Sequence, residues 1–87
     1  MKLGQVVATP GFLELAQREG ISPIQLINRH VSGDWGDLCD EDKKANREAL
    51  KVGARIMSSY KVNDKEKVWV ITEADRSVTT LLLPSEY

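Results

Sequence analysis

The sequence predicts an α+β domain, a three-stranded antiparallel meander in the C-terminal half packed by three short helices from the N-terminal half. Two observations carry this reading. Helix start and stop signals bracket three stretches between residues 9 and 53, and after Gly53 the hydrophobic period changes from 3.6 to 2. With 87 residues the chain can bury one modest core, so residues 1–87 are read as a single domain.

Residues 3–8 (LGQVVA) are compatible with a short strand or with an extended lead-in. Thr9-Pro10 then gives a helix start, a hydroxyl to accept from unpaired N–H groups followed by a residue that has no N–H to lose. Phe12, Leu13, Leu15 and Ala16 supply the apolar side, and Gly20 is the stop. Ser22-Pro23 repeats the start, with Gln25 placed for a capping box and Ile21 and Leu26 for a hydrophobic staple. Ile24, Ile27 and Val31 extend that stripe, and Gly33 is expected to end it. After the turn-rich GDWGDLC, Asp40 is expected to cap a third helix, with Glu41 and Asp42 in its first turn, where the dipole favours anions. Ala45, Ala49 and Val52 form its small-residue stripe, and Gly53 ends it.

Residues 54–62 (ARIMSSYKV) alternate, with Ile56, Tyr60 and Val62 on one face. Residues 63–66 make a hairpin turn. Residues 67–74 (KVWVITEA) are β-branched and aromatic on both faces, the composition of a central strand. A turn at residues 74–77 leads to the third strand, SVTTLLL, which Pro84 stops.

Composition narrows the function. Twelve basic against thirteen acidic residues give a net charge of −1, without the cationic excess that phosphate neutralisation demands, which disfavours nucleic acid. The segment MKLGQVVATPG has no apolar core for a signal peptide, and no apolar run approaches a membrane span. A lone Cys39 forms no internal disulfide. The expectation is a cytoplasmic protein away from membranes.

Three constellations offer chemistry. Residues 12–31 loosely match a helix-turn-helix, with Ala16, Gly20, Ile21 and Leu26 at its small, turn and core positions. Of the outward candidates Gln25, Asn28 and Arg29, only one is a full cation, so a DNA-binding regulator is the second reading. His30, Asp34, Asp37, Cys39 and Asp40 crowd together, yet offer a single soft ligand where structural zinc takes more. A metal- or thiol-dependent enzyme around His30 and Cys39 is the third reading; it lacks a glycine-rich elbow and oxyanion donors. No phosphate loop, dinucleotide fingerprint, metal motif or cofactor motif is present.

The leading reading is a non-enzymatic interaction or regulatory module with a protein partner or a second copy of itself, a homodimer being one such assembly. Trp69 and Ile71 share a strand face, and three short helices can cover only one side of the sheet. Burying either that set or Val68 and Val70 leaves the other facing out, and the uncovered side, taken as that of Trp69, Ile71 and Met57, would expose an apolar patch. Alternatively, the N-terminal segment or the tail PSEY folds over it. Trp35, between Gly33 and Gly36, is either a plug or a recognition anchor. Glu73, Asp75 and Arg76 form either a solvated turn or an acidic recognition tip.

GDWGDL, the ED…N…AL…G…Y run and W-x-ITEADRS-x-TT-x-LLP-x-EY together resemble a family of small uncharacterised bacterial proteins, sometimes labelled plasmid-related or mobile-element-associated. The resemblance runs from Val7 to Tyr87, and GDWGDL and ITEADRS are its most specific parts. It implies a bacterial cytoplasmic setting and a link to mobile elements, and it carries over no catalytic or binding residue.

Overall fold

The structure is a computed structural model that describes every residue, Met1–Tyr87. Its elements in order are β1 (Gln5–Ala8), α1 (Pro10–Glu19), α2 (Pro23–Val31), α3 (Asp40–Val52), β2 (Ile56–Lys61), β3 (Lys67–Thr72) and β4 (Val78–Leu82), then a turn of 3-10 helix, Pro84–Glu86. The α+β class holds, but the sheet is not a three-stranded meander. It is mixed and four-stranded, ordered β1-β4-β3-β2, with β1 added parallel to β4. The antiparallel β2–β3–β4 part forms as expected, with β3 inside. Of the two readings of residues 3–8 the strand holds, but its place in the sheet escapes local reading because Gln5 pairs with Val78 across almost the whole chain. A parallel pair needs a long crossover, and here every other helix and strand lies within it.

The helix grammar works as physics. Thr9 Oγ1 accepts from the Phe12 N–H at 3.2 Å, and Ser22 Oγ accepts from the Gln25 N–H at 3.3 Å. Two boundaries differ from expectation. Cys39, not Asp40, precedes α3, and its side chain makes no capping bond; Asp40 is instead the first of three acids at the positive helix end. In addition, α2 closes at Val31 with Ser32 as its cap, one turn position before Gly33.

The main core lies between helices and sheet. Phe12, Leu15 and Ala16 of α1 and Leu26 of α2 pack on Tyr60, Val68, Val70 and Leu81. Trp35, Ala49 and Ile56 form a second cluster beneath α3. Strand alternation sends Met57, Ser59, Trp69, Ile71 and Leu82 to the opposite face. That face is not bare. The C-terminal tail crosses it, the Tyr87 ring meeting Trp69 edge-on with centroids 5.7 Å apart. Arg55 lies over the Tyr87 ring at 5.4 Å and donates to its hydroxyl. Ile71 and Leu82 are only 2% and 5% exposed.

Glu86 holds the tail in place. Its carboxylate accepts from Thr9 Oγ1 at 2.5 Å, the Gly11 N–H at 3.0 Å and the Leu83 N–H at 2.9 Å. A Cβ on Gly11 would lie 2.7 Å from that carboxyl carbon, so a larger residue there would push the Glu86 side chain aside. These donors, the Thr9 hydroxyl foremost, hold the Glu86 carboxyl below the usual range. The bond set also places an anion at the N-terminus of α1. No helix is long and apolar enough to cross a membrane.

Replacing Glu86 with Ala removes the latch between the tail and α1. Amide hydrogen exchange at Gly11 and Leu83 is expected to quicken while exchange at Val70, in the sheet centre, stays unchanged.

Candidate functional site

A sheet has two edge strands whose outward N–H and C=O groups need partners or solvent. Here the two edges are treated differently. Along β2, the Met57 N–H donates to Asn46 Oδ1 at 3.2 Å, and Asn46 Nδ2 returns a bond to the Met57 carbonyl at 2.7 Å. The Ser59 N–H donates to the Trp35 carbonyl at 3.1 Å, and the Asp37 N–H donates to the Ser59 carbonyl at 2.7 Å. Asp37 Oδ2 then accepts from the Lys61 N–H at 3.0 Å. One amide side chain and one loop therefore act as a fifth strand.

The loop is GDWGDL, and its composition now has a physical reason. Gly36 sits at φ 73 against Ser59, where a Cβ would come within 2.1 Å of the Ser59 carbonyl oxygen. Trp35 is 8% exposed and wedges between Ala49 and Ile56. Asp34 accepts from Arg29 Nε at 2.6 Å and from the Gly36 N–H at 3.2 Å. The Tyr60 hydroxyl donates to the Asp34 carbonyl at 2.7 Å, and Arg29 lies 4.4 Å from the Tyr60 ring centre.

The β1 edge has no such cover. Gln5 N–H donates to the Ser77 carbonyl and Thr9 N–H to the Leu81 carbonyl, both at 3.0 Å. That parity turns the backbone of Gln5, Val7 and Thr9 towards β4 and the backbone of Val6 and Ala8 outward. No hydrogen bond from a loop or side chain reaches those outward groups. Val6 is 46% and Val7 37% exposed, and the strand Gln5–Ala8 carries no ionised side chain.

The second unusual assembly is internal. His30 is 1% exposed, with Nδ1 2.6 Å from Ser58 Oγ and Nε2 2.9 Å from Thr72 Oγ1. Thr72 Oγ1 is 2.8 Å from Thr79 Oγ1, which donates to the Leu3 carbonyl at 2.8 Å. A carbonyl accepts only, so the direction of the bonds from Leu3 as far as Nε2 follows, and a neutral ring sets the last one. Thr79 donates to Leu3, Thr72 donates to Thr79, Nε2–H donates to Thr72, and Ser58 donates to a bare Nδ1. This chain of bonds joins α2 to β2, β3, β4 and the segment before β1. It requires a proton on Nε2; burial keeps the ring neutral near pH 7, so Nδ1 is bare and accepts from Ser58. Burial pushes the His30 pKa down to about 4. The nearest cavity, about 30 Å³ beside Trp35 and Ile56, holds roughly one water and no substrate.

The other residues singled out by sequence scatter. Trp35 and Ile71 are buried and offer almost no side-chain surface, whereas Met57 and Trp69 are half-buried. Glu73 and Asp75 are exposed, with Asp75 Oδ1 accepting from the Ser77 N–H at 3.0 Å. Arg76, at φ 60, donates to the Ala54 carbonyl at 2.7 Å and the Glu73 carbonyl at 3.0 Å, so it ties the last hairpin to the exit of α3. Arg29, the one cation of the helix-turn-helix reading, is engaged by Asp34. His30 is buried and Cys39 exposed, and no three His, Cys, Asp or Glu side chains converge on a point.

Sequence reasoning missed Asn46, Ser58, Thr72, Thr79 and Glu86, along with Val6 and Ala8 as edge residues. One signal was legible: Ser58, Thr72 and Thr79 are polar residues at inward strand positions, which asks for a buried partner, and His30 on an apolar helix stripe supplies it. Compared with family models, curated proteins and solved structures, this chain matches none.

Because the folded His30 titrates near 4 and an unfolded histidine near 6.5, the fold disfavours the proton. The contribution is complete above about pH 6.5, falls as pH drops towards 4, and amounts to on the order of 3 kcal/mol. Urea denaturation between pH 7.5 and 4 is expected to show this loss, and His30→Gln to flatten that part of the profile while lowering stability at pH 7.5.

Proposed function

We propose that this chain is a non-enzymatic interaction module that takes up a partner's β-strand along β1. The observation that carries the reading is the open, uncharged edge at Val6 and Ala8 in a molecule whose other edge is bonded from Met57 to the Lys61 N–H by its own side chains and loop. Strand addition draws affinity from backbone hydrogen bonds and selectivity from the flanking side chains. Val6 and Val7, both partly exposed, are those side chains here. A regulatory role in the cytoplasm of a bacterium, on a mobile element, completes the proposal and rests on the motif resemblance alone.

The geometry gives less to the other readings. A DNA-reading α2 would have to free Arg29 from Asp34 and Tyr60. An enzyme around His30 and Cys39 would have to bring a histidine packed in the interior, 1% exposed, to a thiol on the surface. The Trp69 face is partly occupied by Tyr87 and offers a smaller surface than the sequence pattern promised.

Immobilised protein is expected to retain a partner from a bacterial lysate, and Val6→Lys, which puts a charge on the edge, to lose it. Trp69→Ala is expected to leave retention unchanged. Retention that is indifferent to Val6→Lys would remove β1 from consideration.

A further inference from the structure

We infer that the strand received by β1 is β1 of a second copy of this chain, paired antiparallel across a two-fold axis; the inference rests on the strand-binding reading above. A second copy can offer only one edge. Its β2 edge is taken by Asn46, Trp35 and Asp37 of its own chain, so β1 of one molecule cannot grow onto β2 of the next. Head-to-tail filaments are thereby blocked, and the remaining pairing, β1 on β1, is isologous and closes on itself.

Parity and charge both fit. The outward residues are Val6 and Ala8, so an antiparallel register centred on Val7 sets Val6 of each copy opposite Ala8 of the other. Each such pair exchanges both backbone bonds, and the two Val7 side chains meet as the closer, non-hydrogen-bonded pair. Residues Gln5–Ala8 bring no like charges together. The exposed faces of Val6 and Val7 lose water in the process. With four residues in the strand the contact is short, so association depends on concentration.

Light scattering and amide exchange on the full chain test this together. Between about 10 µM and about 1 mM the mass should rise from 9.7 kDa towards twice that value. Over the same range the Val6 and Ala8 amides should become protected, while the inward Val7 amide stays protected throughout. Val6→Lys should hold the mass at its monomer value. Val6→Pro should do the same by removing an outward N–H that the ladder with β4 does not use, and circular dichroism on each variant reports the fold. A constant monomer mass overturns the inference, as does a dimer that survives both substitutions. A constant mass with lysate retention still sensitive to Val6→Lys leaves the strand-binding reading standing and removes only the second copy. Loss of both removes both.

Discussion

Unpaired backbone groups at the rim of a sheet are the constraint around which this molecule is arranged. A small sheet exposes two rows of donors and acceptors, and leaving either row straight and apolar invites pairing with another chain. The β2 row is closed from within by a primary amide and by the loop that carries Trp35, and the residues that do this explain most of the middle of the sequence. Asn46 lies three residues from Ala49 on the same buried face of α3, so the helix that packs on the second core cluster also presents the amide to Met57. Gly36 allows backbone to approach backbone, Asp37 supplies the last acceptor, and Trp35 locks the loop into the interior. The β1 row has received no such treatment.

Inside the sheet a different economy rules. Hydroxyls on β2, β3 and β4 would each cost free energy if buried without a partner. His30 and the Leu3 carbonyl turn them into one directed chain, leaving no buried side-chain polar atom without a bond. Such a network specifies how elements meet, because the donors and acceptors match in only one arrangement. It ties α2 and the lead-in to β1 onto the meander, and so helps to set the strand whose outer edge stays open. The acidic latch at the N-terminus of α1 fixes the opposite end of the same strand through Thr9. An open edge held firmly at both ends is pre-organised for pairing, which lowers the ordering cost of association.

The same constraint decides where the candidate recognition residues lie. The aromatic and charged residues that look most like recognition groups, Trp35, Arg29 and Arg76, are all committed to local architecture. His30, with Ser58 at Nδ1 and Thr72 at Nε2, is held by hydroxyls on both sides and has almost no access to solvent. On the β1 edge the surface is plain backbone flanked by two valines.

By itself the sequence determined the local layer. Capping hydroxyls with following prolines, glycines after each apolar stripe and the switch of period near Gly53 placed the helices and three of the strands, because those signals act over a few residues. It determined too that nothing in the composition favours polyanions. Tertiary structure alone decided the parallel addition of β1, the inward wedge of Trp35, the pairing of His30 with hydroxyls from three strands and the crossing of the tail over Trp69. Each of these joins residues far apart in the chain, and a linear pattern records a residue's character without recording which distant group meets it. The open edge belongs to the same class: whether Val6 and Ala8 face a neighbour or water depends on the register with β4, and register is set only when the sheet is assembled.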